Sequence, residues 1–130
     1  MNLIGTLPLV LDVKTLFFII NKGLQGNVCG QEFLDIILMA AAFDQKVVVL
    51  FEGDGVNALL KNQQPECLNL KNMMPVLDTL PVYDINDVIV EKESMEVYGL
   101  TENELAIKAA VVSRSDIKKR LRSADHLFGF

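Results

Sequence analysis

The chain has 130 residues, a formal net charge of −5 and a sequence pI near 4.8. That acidic balance argues against a nucleic-acid-binding domain, whose surface is ordinarily basic. Hydrophobic residues make up 51% and mean hydropathy is +0.32, which is high for a small monomer and implies apolar surface covered by a partner chain.

Residues 1–13 are apolar but carry Pro8 and Asp12, with no basic residue ahead of the apolar run. They fit a signal peptide poorly and read as an irregular N-terminal extension to one domain at 14–130. Apolar runs such as 36–43 fall short of the roughly 20 residues a membrane-spanning helix needs. Cys29 and Cys67 form no CxxC or zinc pattern and suggest neither a disulfide framework nor secretion.

Residues 14–20 predict a first strand, apolar on both faces. A loop with Gly23, Gly26 and Gly30 follows, and 31–43 predicts a helix. Phe33, Ile36, Ile37, Met39 and Ala40 are among the residues that leave this helix almost no polar side beyond Glu32 and Asp35. A helix apolar nearly all round is covered on two sides, by its own sheet and by another subunit. Those five residues are therefore the candidate subunit interface. Residues 47–51, an unbroken β-branched and aromatic run, predict the central strand of a parallel sheet. Glu52, Gly53, Asp54 and Gly55 stop it with turn chemistry, and a helix is expected from near Gly55.

A polar loop at 63–66 precedes a short helix at 73–80, with Pro75 in its first turn and Pro81 ending it. Residues 87–91 predict a third strand and 92–97 a helical turn. Thr101 and Glu104 match a capping box, with a short helix expected to about 108. Residues 109–113 predict a weak fourth strand. Ser113 opens a last helix with Ile117, Leu121 and Ala124 on its buried stripe. Residues 126–130 close the chain as a strand. Alternating strands and helices give a three-layer α/β/α fold with a mainly parallel sheet of about five strands.

Five stretches in consistent order carry a resemblance. They are 40–45 (Ala-Ala-Ala-Phe-Asp-Gln), 49–56 (Val-Leu-Phe-Glu-Gly-Asp-Gly-Val), 80–85 (Leu-Pro-Val-Tyr-Asp-Ile), 94–101 (Ser-Met-Glu-Val-Tyr-Gly-Leu-Thr) and 123–130 (Ser-Ala-Asp-His-Leu-Phe-Gly-Phe). The sequence resembles the TusC/DsrF branch of the DsrE-like sulfur-relay proteins over 14–130, and residues 1–13 lie outside the match. The resemblance implies a cytoplasmic heterohexamer with two copies each of three related subunits, here joined by TusB-like and TusD-like partners. It implies persulfide transfer toward 2-thiouridine at the tRNA wobble position, or sulfur oxidation for a DsrF-like member. tRNA is then met only through the relay, with no membrane and no cofactor. In such complexes the sulfur-carrying cysteine belongs to the TusD/DsrE subunit, near the end of the strand corresponding to 87–91. This chain has no cysteine there, so the resemblance implies a non-catalytic subunit.

Other readings stay open beside that one. Cys29 precedes a helix N-terminus, whose dipole favours a thiolate, so it is the weak catalytic candidate as a persulfide carrier. An incidental loop cysteine is the plainer alternative. For Cys67 that alternative is a packed, inert thiol. Gly23, Gly26 and Gly30, with Glu52 and Asp54, suggest a small-ligand-binding α/β domain, although neither GxGxxG nor a P-loop is matched. Arg114, Lys118, Lys119, Arg120 and Arg122 make one helix basic, for an acidic partner or simply for solvent. His126 stands alone, as an ordinary surface or core residue. No metal site is expected.

Overall fold

The apolar runs of the sequence become one parallel sheet in a computed structural model that describes residues 13–24, 28–61 and 73–130. In chain order the strands and helices are β1 (Thr15–Ile20), α1 (Val28–Ala42), β2 (Lys46–Phe51), α2 (Met74–Leu77), β3 (Asp87–Glu91), α3 (Lys92–Val97), β4 (Ala110–Val112), α4 (Arg114–Leu121) and β5 (His126–Gly129). Short 3-10 segments cover Gly53–Leu59, Leu80–Tyr83 and Glu102–Glu104. Five parallel strands lie in the order β4-β3-β2-β1-β5. β2 pairs with β1 from Thr15↔Lys46 to Ile20↔Phe51 and with β3 from Val48↔Asp87 to Phe51↔Val90.

Burial on both faces explains why these strands lack polar alternation. Phe18, Ile20, Val47, Val49, Phe51, Val88 and Val90 face one layer, with Phe33, Leu34 and Ile37 of α1. Phe17, Val48, Leu50 and Ile89 face the other, against Ile117 of α4 with Leu121 and Ala124 partly buried beside it. The three-layer α/β/α arrangement therefore stands.

Several local expectations change, and the helix expected from near Gly55 is the 3-10 segment Gly53–Leu59. α1 starts at Val28, so Cys29 lies in its first turn rather than in a loop before it. Gly30 is helical and buried, and an added Cβ would come within 3.1 Å of Leu24 Cδ2, so close packing rather than turn formation favours glycine there. The helix expected from Thr101 to about 108 is only a 3-10 turn, Glu102–Glu104. Its capping box is present, but Leu105 bridges Leu60 and the Ala106 amide donates to Leu59 O at 2.6 Å. Those long-range bonds draw the chain out of the helix.

Pro81 does not simply end a helix either. α2 stops at Leu77, and Pro81 lies in the first turn of Leu80–Tyr83, where its missing N–H has no partner to lose. Among the described residues, no helix is long and apolar enough to cross a membrane. The expected loop at 63–66, Cys67, Gly26 and residues 1–12 lie outside the described residues.

Candidate functional site

β2, β3 and β4 end together at the carboxyl edge of the sheet, where open α/β folds place their sites. Gly53, at φ +53, turns the chain out of β2 in a conformation side chains resist. Gly55 passes so near β1 that an added Cβ would lie 2.0 Å from Ile20 O, so only glycine fits. This tight crossing sets Glu52 beside the last residue of β3, Glu91.

Glu91 is 4% exposed although it is a carboxylate. Two side chains meet its charge. Arg114 Nε donates to Oε2 at 3.1 Å and Nη2 to Oε1 at 3.0 Å. Ser94 Oγ donates to Oε1 at 2.5 Å while accepting the Gly53 amide at 2.8 Å. The Arg114 backbone amide in turn donates to Glu93 Oε1 at 2.9 Å. The bonded guanidinium holds the Glu91 carboxyl below its usual range, against the opposing effect of burial and with help from Ser94. Glu52 moves the other way, raised first by burial and then by the Glu91 charge, with Arg114 opposing.

A carboxylate so fully bonded is a poor base, because its lone pairs are already engaged. Residues 87–100 contain no cysteine, so the end of β3 itself offers no thiolate for a persulfide. The cluster joins β2, β3, α3 and α4; its evident work is structural. Asp54, the other half of the expected carboxylate pair, is exposed, and the carboxylate acting on Glu52 is Glu91 instead. The described residues contain no group of histidine, cysteine, aspartate and glutamate fit to hold a metal ion.

Other expected sites are scattered. Cys29 is exposed on α1. His126 is exposed on β5. The basic helix is partly accounted for, because Arg120 binds both oxygens of Asp87 at 3.2 and 2.6 Å and lies 5.7 Å from the Phe17 ring centroid. With Arg114 also engaged, the outward charge of α4 rests on Lys118 and Lys119, the latter 3.9 Å from Asp116, with Arg122 just past the helix.

The five interface candidates divide by burial. Phe33 and Ile37 lie in the chain's own core, and Ala40 is half-buried. Ile36 and Met39 are 51% and 58% exposed, and Phe43, one step past α1, is 71% exposed. Their spacing of three and four residues puts them on one side of the helix. Val82 and Tyr83, in the 3-10 segment that contacts α1, are exposed too. A cavity of about 430 Å³ opens at the opposite end of the sheet, lined by Leu77, Leu80, Ile85, Val88 and Ile107, away from the Glu91 cluster.

The DsrE/DsrF-like family model matches residues 14–130. The chain belongs to the DsrE/DsrF-like family. It is 34% identical over 118 residues to a protein called a TusC homolog from Vibrio parahaemolyticus, covering 91% of this chain and all of that one. It is 37% identical over 93 residues to the intracellular sulfur oxidation protein DsrF of Allochromatium vinosum, covering 72% of this chain and 68% of that one. The crystal structure of the ychN protein from E. coli superposes with a TM-score of 0.74 at 17% identity, covering 91% of this chain and 99% of the other. This member of the DsrE/DsrF-like family thus has the expected fold. Sequence reasoning missed the Glu91–Arg114 pair, though a glutamate closing an apolar strand was its one visible sign.

Proposed function

We propose that the chain is a non-catalytic, TusC-like subunit of a cytoplasmic sulfur-relay heterohexamer. It supports persulfide transfer toward 2-thiouridine at the tRNA wobble position. Two copies each of this chain, a TusB-like subunit and a TusD-like subunit make up the assembly. The sulfur-carrying cysteine is the TusD-like partner's, and tRNA is met only through the relay.

One observation carries this reading. Ile36, Met39 and Phe43 form an exposed apolar stripe on α1, while the carboxyl edge of β3 holds a neutralised carboxylate instead of a thiol. A chain with a sticky helix face and no cysteine at the end of β3 is suited to holding partners in place. Similarity to the Vibrio TusC homolog over that protein's whole length supports the assignment. Native mass spectrometry of the chain, alone and co-expressed with its neighbouring open reading frames, tests it. A discrete mixed hexamer is the expected result, and a monomer indifferent to those neighbours overturns it.

Similarity to DsrF of Allochromatium vinosum favours a second reading, a subunit serving intracellular sulfur oxidation. Deleting the gene separates the two. Loss of wobble 2-thiouridine with sulfur oxidation intact supports the tRNA role, and the reverse supports the second.

A further inference from the structure

α1 and the 3-10 segment Leu80–Tyr83 end in the same way. Asp44 closes the first at φ +62 and Asp84 the second at φ +60. The Asp44 amide donates to Ala41 O at 3.0 Å and the Gln45 amide to Ala40 O at 3.3 Å. The Asp84 amide donates to Pro81 O and the Ile85 amide to Leu80 O, both at 3.0 Å. This is the Schellman closure, whose left-handed residue is usually glycine and sometimes asparagine.

The turns explain the backbone of the two residues but not their charge. A carboxylate at a helix C-terminus stands against the helix dipole, and neither last turn carries a basic residue. Among the described residues neither side chain has a hydrogen-bond or ion-pair partner, and Lys46, two residues past Asp44, pairs with neither.

Both aspartates line one hollow of about 210 Å³ at the amino end of β2, together with Gln45 and Tyr83. Gln45 is already engaged, accepting the Lys14 amide at 2.9 Å and donating to Phe43 O at 3.2 Å, which fixes that wall. Phe43 and Val82, next in the chain to these lining residues, are exposed, as is Tyr83. Apolar side chains thus flank two carboxylates that their own chain leaves uncompensated.

We infer that the hollow receives the guanidinium of an arginine from a partner subunit, inserted between Asp44 and Asp84 against the Tyr83 ring. The inference rests on the reading of the α1 stripe as a docking face, which Phe43 continues up to Asp44. Arginine fits better than lysine, because its flat fork bonds two carboxylates at once and stacks on an aromatic ring. An apolar surround that keeps water from such a contact is the usual make-up of an interface hot spot.

The test uses the full chain co-expressed with its neighbouring open reading frames. Asparagine is at home in the left-handed conformation, so combining Asp44→Asn with Asp84→Asn removes both charges and keeps both turns. The melting temperature then stays within about 3 °C of the wild type. The double variant should bind its partner about tenfold more weakly or worse. Raising salt from about 0.1 M to about 1 M should weaken the wild-type complex and leave that of the variant nearly unchanged, which a purely structural role would not produce. Alanine scanning of the partner's arginines should then find one whose loss adds nothing further in the double variant.

Undiminished affinity in the double variant, or no arginine that couples to it, overturns the inference and leaves the stripe reading standing. A wild type that binds none of its neighbours overturns the subunit reading beneath it, and this inference with it. If the isolated chain self-associates and needs the two aspartates to do so, the cation comes from a second copy, and the inference is likewise overturned.

Discussion

Arg114 grips Glu91 at two points, Nε to Oε2 and Nη2 to Oε1, at 3.1 and 3.0 Å. The pair ties the first residue of α4 to the last residue of β3, 23 positions earlier in the chain. The two partners differ in exposure, the Glu91 side chain being 6% exposed and that of Arg114 54%. The glutamate is therefore the member that depends on the other for its charge.

Glu91→Gln is expected to destabilise the fold by about 2 kcal/mol, the usual magnitude for a hydrogen bond to a charged group. The pH dependence follows from the lowered carboxyl value. As pH falls, the unfolded state takes up its proton first, so the contribution is complete above the ordinary glutamate value of about 4.3. It is lost as pH falls through the lower folded-state value. Urea unfolding of wild type and Glu91→Gln at several pH values reads this directly. Curves with a constant separation down to pH 3 would contradict it.

Glu52 gives the opposite sign, since burial and the neighbouring Glu91 raise its value. Its charge is penalised in the folded state, fully so above the raised value and not at all below the ordinary one. Glu52→Gln should raise the melting temperature at pH 7 and make no difference in acid. A lower melting temperature at pH 7 would show that the Glu52 carboxylate is favourably held.

The Ile20–Gly55 crossing gives a third expectation. Gly55→Ala places a Cβ 2.0 Å from a backbone oxygen, which no rotamer change can relieve. The chain must move, at a cost of about 3 kcal/mol or more. Gly99, with open space around it but φ +67, should lose only about 1 kcal/mol as alanine. Equal losses at the two positions in chemical denaturation would refute the close-approach explanation.

Much of this architecture was legible because burial on both faces leaves an unmistakable apolar run. β3 emerges with the expected bounds, and Ser113 accepts the Asp116 amide at 3.3 Å as a helix cap should. Local signals failed where distant partners decide. Gly30 reads as a turn residue but serves the packing of Leu24, and Leu59 takes the Ala106 amide that a continuing helix would have used. The apolar character of α1 was plain. Which of its residues face the core was not, because Phe33 and Met39 look alike until the helix is docked on the sheet. The Glu91–Arg114 pair was hidden for the same reason.

Burial separates assembly from stability along α1. Ile37 is fully buried, and Ile37→Ala should cost about 2–5 kcal/mol in any assembly state. Ile36, Met39 and Phe43 are exposed, so replacing all three by serine should leave the isolated chain's stability within about 1 kcal/mol. If the stripe holds the partner subunits, that triple variant co-purifies with none of them while keeping its circular dichroism spectrum. Cys29→Ser supplies the matching control for the proposed role, since a purely positional subunit would need no thiol of its own. Complexes containing Cys29→Ser should assemble and thiolate tRNA at the wild-type rate. Loss of thiolation with assembly intact would transfer the chemistry to Cys29, and retained assembly in the triple variant would place the interface elsewhere on the chain.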